Sequence, residues 1–101
     1  MAVEISKSDI LAALTFTGIE DEPRWGYSGR GMYGARCFGF TGTMEDYSNF
    51  LLGIVDTVYD QTEDIAAATQ IASHFGERVS TDSMGYDTIF YFPGITVLEN
   101  E

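Results

Sequence analysis

The sequence predicts an α+β fold in which a small antiparallel sheet of three to four strands packs against two to three helices. Apolar residues recur every three to four positions in three segments between residues 6 and 76, and they alternate with a period of two near the middle and the end of the chain. Of the 101 residues, 45% are hydrophobic and 14% are aromatic. This length and composition predict a single domain, residues 1–101, and exclude a disordered acidic tail.

The first helix is predicted from its N-terminal cap. Ser6 precedes the helically spaced Ile10 and Leu14, and Asp9 occupies the third helical position. Gly18 is the predicted end of the helix, because glycine adopts the left-handed conformation at low cost.

A glycine-rich segment follows. Residues 26–34 include four glycines, which predicts either an ordered, irregular loop or a wide hairpin between two strands. Residues 35–41 are predicted to form a strand with Phe38 and Phe40 on one face and Gly39 on the other. We expect Gly39 to allow another part of the chain to approach closely.

The second helix has the clearest pattern in the chain. Thr43 is its predicted N-cap, and Asp46, three residues later, completes a capping box. An apolar face is formed by six residues at helical spacing, namely Tyr47, Phe50, Leu51, Ile54, Val55 and Val58. At about 100° per residue, the opposite side is an acidic ridge, with Leu52 and Tyr59 at its flank. The ridge comprises Glu45, Asn49, Asp56 and Asp60.

The third helix is predicted to have Thr62 as its N-cap, Glu63 and Asp64 in its first turn, and Gly76 at its end. Its predicted buried stripe comprises Ile65, Ala68, Ile71, Ala72 and Phe75.

A strand meander is predicted after the third helix. Residues 78–81 and 86–92 are expected to pair as an antiparallel hairpin around a turn at 82–85. The Pro-Gly pair at 93–94 suits a type II turn that leads to a last strand at 95–98.

The chain is strongly acidic and its charges are unevenly distributed. Sixteen Asp and Glu against five Lys and Arg give a formal net charge of −11. This charge opposes direct binding to nucleic acid or to an anionic membrane, and it favours a basic protein surface as partner. Residues 37–77 contain seven acids and no Lys or Arg, whereas three arginines lie between residues 24 and 36.

The preferred functional hypothesis is a non-enzymatic protein-binding module whose acidic helices bind a basic protein surface. Carboxylates repeated along a rigid helix could imitate the charges of a nucleic-acid duplex and block a nucleic-acid-binding protein. The predicted partner-binding residues are Glu45, Asp46, Asp56, Tyr59, Asp60, Glu63 and Asp64. Acids opposite an apolar stripe also keep a helix solvated, and this simpler interpretation stays open.

An alternative hypothesis is a small-ligand or nucleotide site on the glycine-rich segment, because glycine backbones can direct several N–H groups at one anion. The residues in question are Tyr27, Gly29, Arg30, Gly31 and Tyr33. Neither a Walker pattern nor a strand followed by GxGxxG and a helix is present. The sequence predicts no cofactor, and with one Cys, one His and no calcium-loop motif it predicts no metal.

Catalysis is the third hypothesis, and it would require Cys37 and His74 to lie within hydrogen-bond reach of each other. Cys37 falls in a predicted buried strand and His74 lies off the apolar stripe of its helix. The sequence therefore favours a protein that is not an enzyme.

The predicted location is the cytoplasm. No apolar run approaches the ~20 residues of a membrane span, the N-terminus lacks the pattern of a secretion signal, and a single cysteine suits a reducing compartment. An unpaired edge on the last strand would favour a homodimer.

The run GYSGRGMYG and the following ARCFGF, within residues 25–40, resemble segments of small, uncharacterised bacteriophage-encoded proteins. The short, acidic and lysine-poor chain is similar to such proteins as a whole. The resemblance implies an early or accessory phage protein that acts in the host cytoplasm by binding and blocking a host protein.

Overall fold

The computed structural model describes residues 3–27, 37–84 and 87–98, and these residues form an α+β fold. The predicted fold class is therefore confirmed. Three helices and six strands are seen in the described residues. In chain order they are β1 (Val3–Ser6), α1 (Lys7–Leu14), β2 (Arg24–Tyr27), β3 (Cys37–Gly42), α2 (Met44–Thr62), α3 (Ile65–Arg78), β4 (Ser80–Met84), β5 (Asp87–Tyr91) and β6 (Ile95–Leu98).

The main sheet is antiparallel and has the strand order β2-β3-β5-β4. Gly39 pairs with Tyr91, and a Cβ built on Gly39 would lie only 3.0 Å from the Phe90 carbonyl oxygen, so the neighbouring strand is what approaches this glycine. The last strand has the predicted bounds but pairs in parallel with β1 in a separate two-stranded sheet. Gly94 has a φ of +85°, as the second central residue of a type II turn requires.

The predicted turn at residues 82–85 is wrong for its first three residues. Asp82 pairs with Ile89, and β4 continues to Met84 opposite Asp87. Asp and Ser favour turns, but here the backbone hydrogen bonds to β5 keep these residues in the strand. The Asp82 carboxylate also holds the strand in place, because it accepts a hydrogen bond from the Tyr27 hydroxyl at 2.8 Å.

Aromatic side chains fill the core between the sheet and the helices. Alternate residues of β3 and of the β5 segment point toward the helices and bury their rings there, namely Phe38, Phe40, Phe90 and Phe92. Phe50 of α2 and Phe75 of α3 meet them from the other side. The ring centroids of Phe75 and Phe92 are 5.1 Å apart in an edge-on arrangement.

The start of α1 is confirmed, and its end is earlier than predicted. Ser6 is the N-cap and its hydroxyl accepts a hydrogen bond from the Asp9 backbone N–H at 3.1 Å. The helix ends at Leu14, not at Gly18, because Thr15 and Thr17 donate their hydroxyls to carbonyls of the last turn and close it early.

The predicted boundary between α2 and α3 is also wrong. Thr62 belongs to α2, where its hydroxyl donates to the Val58 carbonyl at 2.9 Å. Glu63 ends α2 in the left-handed region with φ 55°, and its N–H donates to the Tyr59 carbonyl. Asp64 is the N-cap of α3 and accepts from two backbone N–H groups, which an aspartate does better than a threonine already engaged elsewhere.

Two further predictions for α3 need correction. Ile65 is 58% exposed although it fits the apolar stripe, because it starts the helix and projects beyond the packed layer. Gly76 lies inside α3, which continues to Arg78. The N–H and carbonyl groups around Gly76 keep helical geometry because the helix packs against α2 over this length.

Candidate protein-interaction surface

The outer face of α2 is the side that neither the sheet nor another helix covers. We define it as Glu45, Leu52, Asp56, Tyr59 and Asp60, all of which are exposed. At about 100° per residue these five side chains fall within one third of the helix circumference. Three buried residues of α2 lie on the opposite side, namely Phe50, Ile54 and Val58, and the buried Gly53 lies at the edge of the outer face, against α1.

Two apolar side chains lie along one edge of this outer face. Leu52 is 64% exposed and Tyr59 is 47% exposed. The sequence predicts them at the flank of the acidic ridge, and their exposures show that this flank is uncovered. The face is therefore a mixed acidic and apolar surface. Of the predicted ridge, Asn49 is only half-buried and the three acids are exposed.

Phe16 extends the apolar area toward α1. Its ring is 45% exposed and reaches α2 at Gly53, where a Cβ built on the glycine would lie 3.0 Å from Phe16 Cδ1. Met44 and Ile65 add exposed apolar side chains near the two ends of α2. Sequence reasoning missed Phe16 and Met44, which lie in a loop and at a helix start where periodicity gives no burial signal, and it wrongly assigned Ile65 to a buried stripe.

The charge of the outer face depends on whether bases lie against its carboxylates, and this can be judged for the part of the chain that the structure describes. Within residues 3–27, 37–84 and 87–98, no lysine or arginine forms an ion pair with Glu45, Asp56 or Asp60. Arg30 and Arg36 lie outside the described residues. The outer face therefore carries net negative charge.

The sequence predicts two roles for Asp46, as a helix cap and as a partner-binding residue. In the structure Asp46 acts as a cap. Its carboxylate accepts hydrogen bonds from the Thr43 N–H at 3.0 Å and from the Gly18 N–H at 3.2 Å, so it caps α2 and ties the loop after α1 to it. The hydrogen bonds, first that from Thr43, lower the pKa of Asp46 below its ordinary value. The residue is predicted as partner-binding, but its oxygens are engaged within the fold.

We expect Asp46→Ala to cost about 1 kcal/mol of unfolding free energy at pH 7, because the cap and the loop contact are lost. The lowered pKa means that this stabilisation is present above the ordinary carboxyl pKa and disappears as the pH falls through the folded-state value. Urea unfolding of the variant and the wild type should therefore converge in strong acid. Asp56→Ala, on the same helix, should change stability by less than about 0.5 kcal/mol. A pH-independent difference for Asp46→Ala would contradict the assignment.

Glu63 and Asp64 are also predicted as partner-binding residues, and their carboxylates have different roles in the structure. The Asp64 carboxylate accepts from the N–H groups of Ala66 and Ala67 at 3.0 and 3.2 Å and is committed to the start of α3. Glu63 is exposed and makes its cap contact through the backbone, which leaves its carboxylate at the end of the outer face. Of the seven predicted partner-binding residues, five thus present side chains outward.

The alternative ligand site is described only at Tyr27. Gly29, Arg30, Gly31 and Tyr33 lie outside the described residues, so this hypothesis stays a prediction. The Tyr27 ring packs on Tyr91 at 5.2 Å and its hydroxyl donates to Asp82. Burial, followed by the hydrogen bond to Asp82, raises the pKa of Tyr27. Tyr27 therefore links strands across the sheet.

Cys37 and His74 lie on opposite sides of the main sheet. Cys37 packs with Ile89 and Tyr91 on the face away from the helices, and burial raises the pKa of its thiol, which opposes formation of a nucleophilic thiolate. His74 is on α3, where its Nδ1 lies 3.0 Å from Arg78 Nη1. The two residues are not brought together as a catalytic pair.

Two surface hollows among the described residues are candidate sites, and neither collects an acid-base pair. One, of about 280 Å³, lies between Trp25, Phe38 and β6. The other, of about 530 Å³, contains Glu4 and Asp9, but the Asp9 carboxylate is engaged by the Gln61 side-chain amide at 2.6 Å. No group of three or more metal-ligating side chains occurs in the described part of the chain.

None of the described helices combines the length and the hydrophobicity needed to cross a membrane. Comparison with known proteins adds no assignment: no family model, no curated protein and no solved structure matches this chain.

Proposed function

We propose that this protein is a non-enzymatic protein-binding module that binds a basic surface of another protein through the outer face of α2. The observation that carries the proposal is the succession, along one helix, of exposed carboxylates and the exposed side chains of Leu52 and Tyr59. The helix is anchored on its other side by a buried aromatic core, so the surface is held in one geometry before a partner arrives.

The exposed apolar residues argue for recognition over simple solvation. Single exposed apolar side chains are common on soluble domains, but here Leu52 and Tyr59 lie two turns apart on one side of the same helix, next to three exposed carboxylates. Leucine and tyrosine grouped with carboxylates instead resemble a binding surface, in which apolar contacts supply affinity and charges supply orientation and rate. The charge of −11 on the whole chain would steer a basic partner toward it.

The charge spacing bears on the hypothesis of a nucleic-acid mimic. Glu45 and Asp56 are eleven residues apart, about 16 Å along the helix, and Asp60 follows after about 6 Å. A duplex has one charge per ~1.7 Å of axis. The sparse charges and intervening apolar groups favour a protein surface with its own apolar contacts. We keep as part of the proposal that the partner is a host nucleic-acid-binding protein and that the chain is a phage-encoded inhibitor.

The proposal is tested by reversing charge on the outer face. Wild-type protein and the Asp56→Lys/Asp60→Lys variant are immobilised and exposed to bacterial lysate at low salt, and retained proteins are identified by mass spectrometry. The partner is then purified and its Kd measured against each variant. We expect at least a tenfold loss of affinity for the double variant, equivalent to about 1.4 kcal/mol, and a steep weakening with salt.

Asp21→Lys/Glu22→Lys is the matched control. It changes the net charge equally, but both residues are exposed in the loop before β2 and are not part of α2. Affinity should change much less than in the α2 variant. The proposal fails if no partner is retained, or if the two variants weaken binding by the same factor, since charge alone would then explain the interaction.

A further inference from the structure

The apolar residues on the outer face of α2 have a spacing that narrows the class of partner. Leu52 and Tyr59 are seven residues apart, which places them two turns and about 10 Å apart on nearly the same line along the helix. Seven residues is the interval at which a second helix packed alongside the first repeats its contacts. Both side chains lie along this line, and about half or more of the surface of each is exposed to solvent.

Carboxylates accompany each of the two apolar positions. Asp56 lies four residues after Leu52 and three before Tyr59 and so neighbours both on the helix surface, whereas Asp60 follows Tyr59 in sequence and projects about 100° further round the helix. In paired helices, charged residues beside the apolar seam select the partner by opposite charge. Here the flanking charges are acidic. Among the described residues, no lysine or arginine forms an ion pair with them.

The backbone of α2 offers a partner nothing to bind. Residues Met44–Thr62 are helical and hydrogen-bond within the helix, so an extended peptide could not add to this face as a strand. Recognition must use side chains. A partner helix satisfies its own backbone and presents a ridge of side chains that fits such a face.

A second copy of the chain is disfavoured as the occupant. Two copies would bring the carboxylates of Asp56 and Asp60 toward like charges, on molecules that each carry a formal charge of −11. The partner element must instead supply lysine or arginine next to its apolar residues.

Resting on the proposed function, we infer that the partner element bound by the outer face of α2 is an amphipathic α-helix with an apolar stripe flanked by Lys and Arg. The Leu52 and Tyr59 side chains contact the stripe, and Asp56 and Asp60 contact the flanking bases. Charge complementarity and the seven-residue spacing together specify this class of partner.

The test uses two synthetic peptides of about 18 residues, long enough to span α2. One carries Leu at heptad a and d positions and Lys and Arg beside them, and the other has the same composition scrambled to remove helical periodicity. Fluorescence anisotropy measures their affinities for the wild-type chain at low salt. We expect the amphipathic peptide to bind at least tenfold more tightly than the scrambled one.

Two variants separate the apolar from the electrostatic contribution. Leu52→Ser/Tyr59→Ser should abolish the preference for the amphipathic peptide, whereas Asp56→Asn/Asp60→Asn should weaken both peptides by similar factors. Circular dichroism and the urea midpoint of each variant check that the fold is retained.

Other outcomes would overturn the helix inference. Equal binding of the two peptides would show that charge alone is recognised, and the proposed function would survive. Binding of neither peptide would also reject the inference, while the proposed function would still be judged by partner capture. A captured partner displaced by duplex DNA and indifferent to Leu52→Ser/Tyr59→Ser would identify a nucleic-acid groove. Concentration-dependent dimerisation that is lost in that variant would identify a second copy as the occupant.

Discussion

Replacing Phe92 by alanine is expected to remove about 3–5 kcal/mol of unfolding free energy, the largest effect of any single change we predict. The Phe92 ring is fully buried and lies at 5.1–6.3 Å, centroid to centroid, from five other rings. These rings come from β3, α2 and α3, namely Phe38, Phe40, Tyr47, Phe50 and Phe75. Truncation would leave a cavity that rigid sheet and helix backbones cannot close.

A domain of this size has only about 5–15 kcal/mol of stability, so Phe92→Ala should come close to unfolding at 37 °C. Urea denaturation followed by circular dichroism gives the difference. Phe16→Ala is the matched control, because the same atoms are removed from a ring that is 45% exposed, and it should cost about 1 kcal/mol. Equal losses in the two variants would contradict the assignment of Phe92 to the centre of the core.

Local signals in the sequence predicted the parts of the fold that short-range interactions determine. Thr43 and Asp46 are three residues apart and cap α2 with each other, so neither needs a distant partner. The alternation of Phe38 and Phe40 likewise fixed the inward face of β3. Gly94 supplied the positive φ of its turn by its residue type alone.

Features that depend on distant contacts could not be predicted in this way. Thr62, Glu63 and Asp64 are three successive candidates to end one helix and start the next, and the choice is made by which hydrogen bonds each completes. β1 becomes a strand only because β6, at the far end of the chain, pairs with it. No local pattern identifies such a pairing.

The candidate surface shows the same limit. Periodicity correctly placed Asp56 and Asp60 outward, because α2 is long and strongly amphipathic. Residue type alone could not separate these free carboxylates from Asp46 and Asp64, whose oxygens serve as caps. The exposure of Leu52 among the acids also required coordinates, since only they show that α1 and α3 leave this side uncovered.

The uncovered outer face depends on how closely α1 and α2 approach each other at Gly53. A Cβ built there would lie 2.5 Å from the Ala13 carbonyl oxygen and 2.9 Å from the Ala13 Cα. Both are backbone atoms of the neighbouring segment and cannot rotate aside. The glycine thus lets α1 lie flat against α2 and places Phe16 beside the outer face.

Gly53→Ala is therefore expected to destabilise the protein although alanine favours helix. Alanine gains up to about 1 kcal/mol in helix propensity over glycine, whereas forcing the two backbones apart costs about 1–3 kcal/mol or more. With both contacts below 3 Å, we expect the steric cost to prevail and the net loss to reach about 2 kcal/mol, measured as a lower urea midpoint.

Gly76→Ala is expected to change the stability of the protein in the opposite direction. Gly76 is also inside a helix, but a Cβ there would meet only the Tyr47 hydroxyl oxygen at 3.7 Å, an ordinary contact. Its propensity gain should therefore appear as a stabilisation of up to about 1 kcal/mol. If Gly53→Ala also raises the midpoint, propensity or unfolded-state entropy governs both sites, and the close crossing at Gly53 is not what positions α1 on α2.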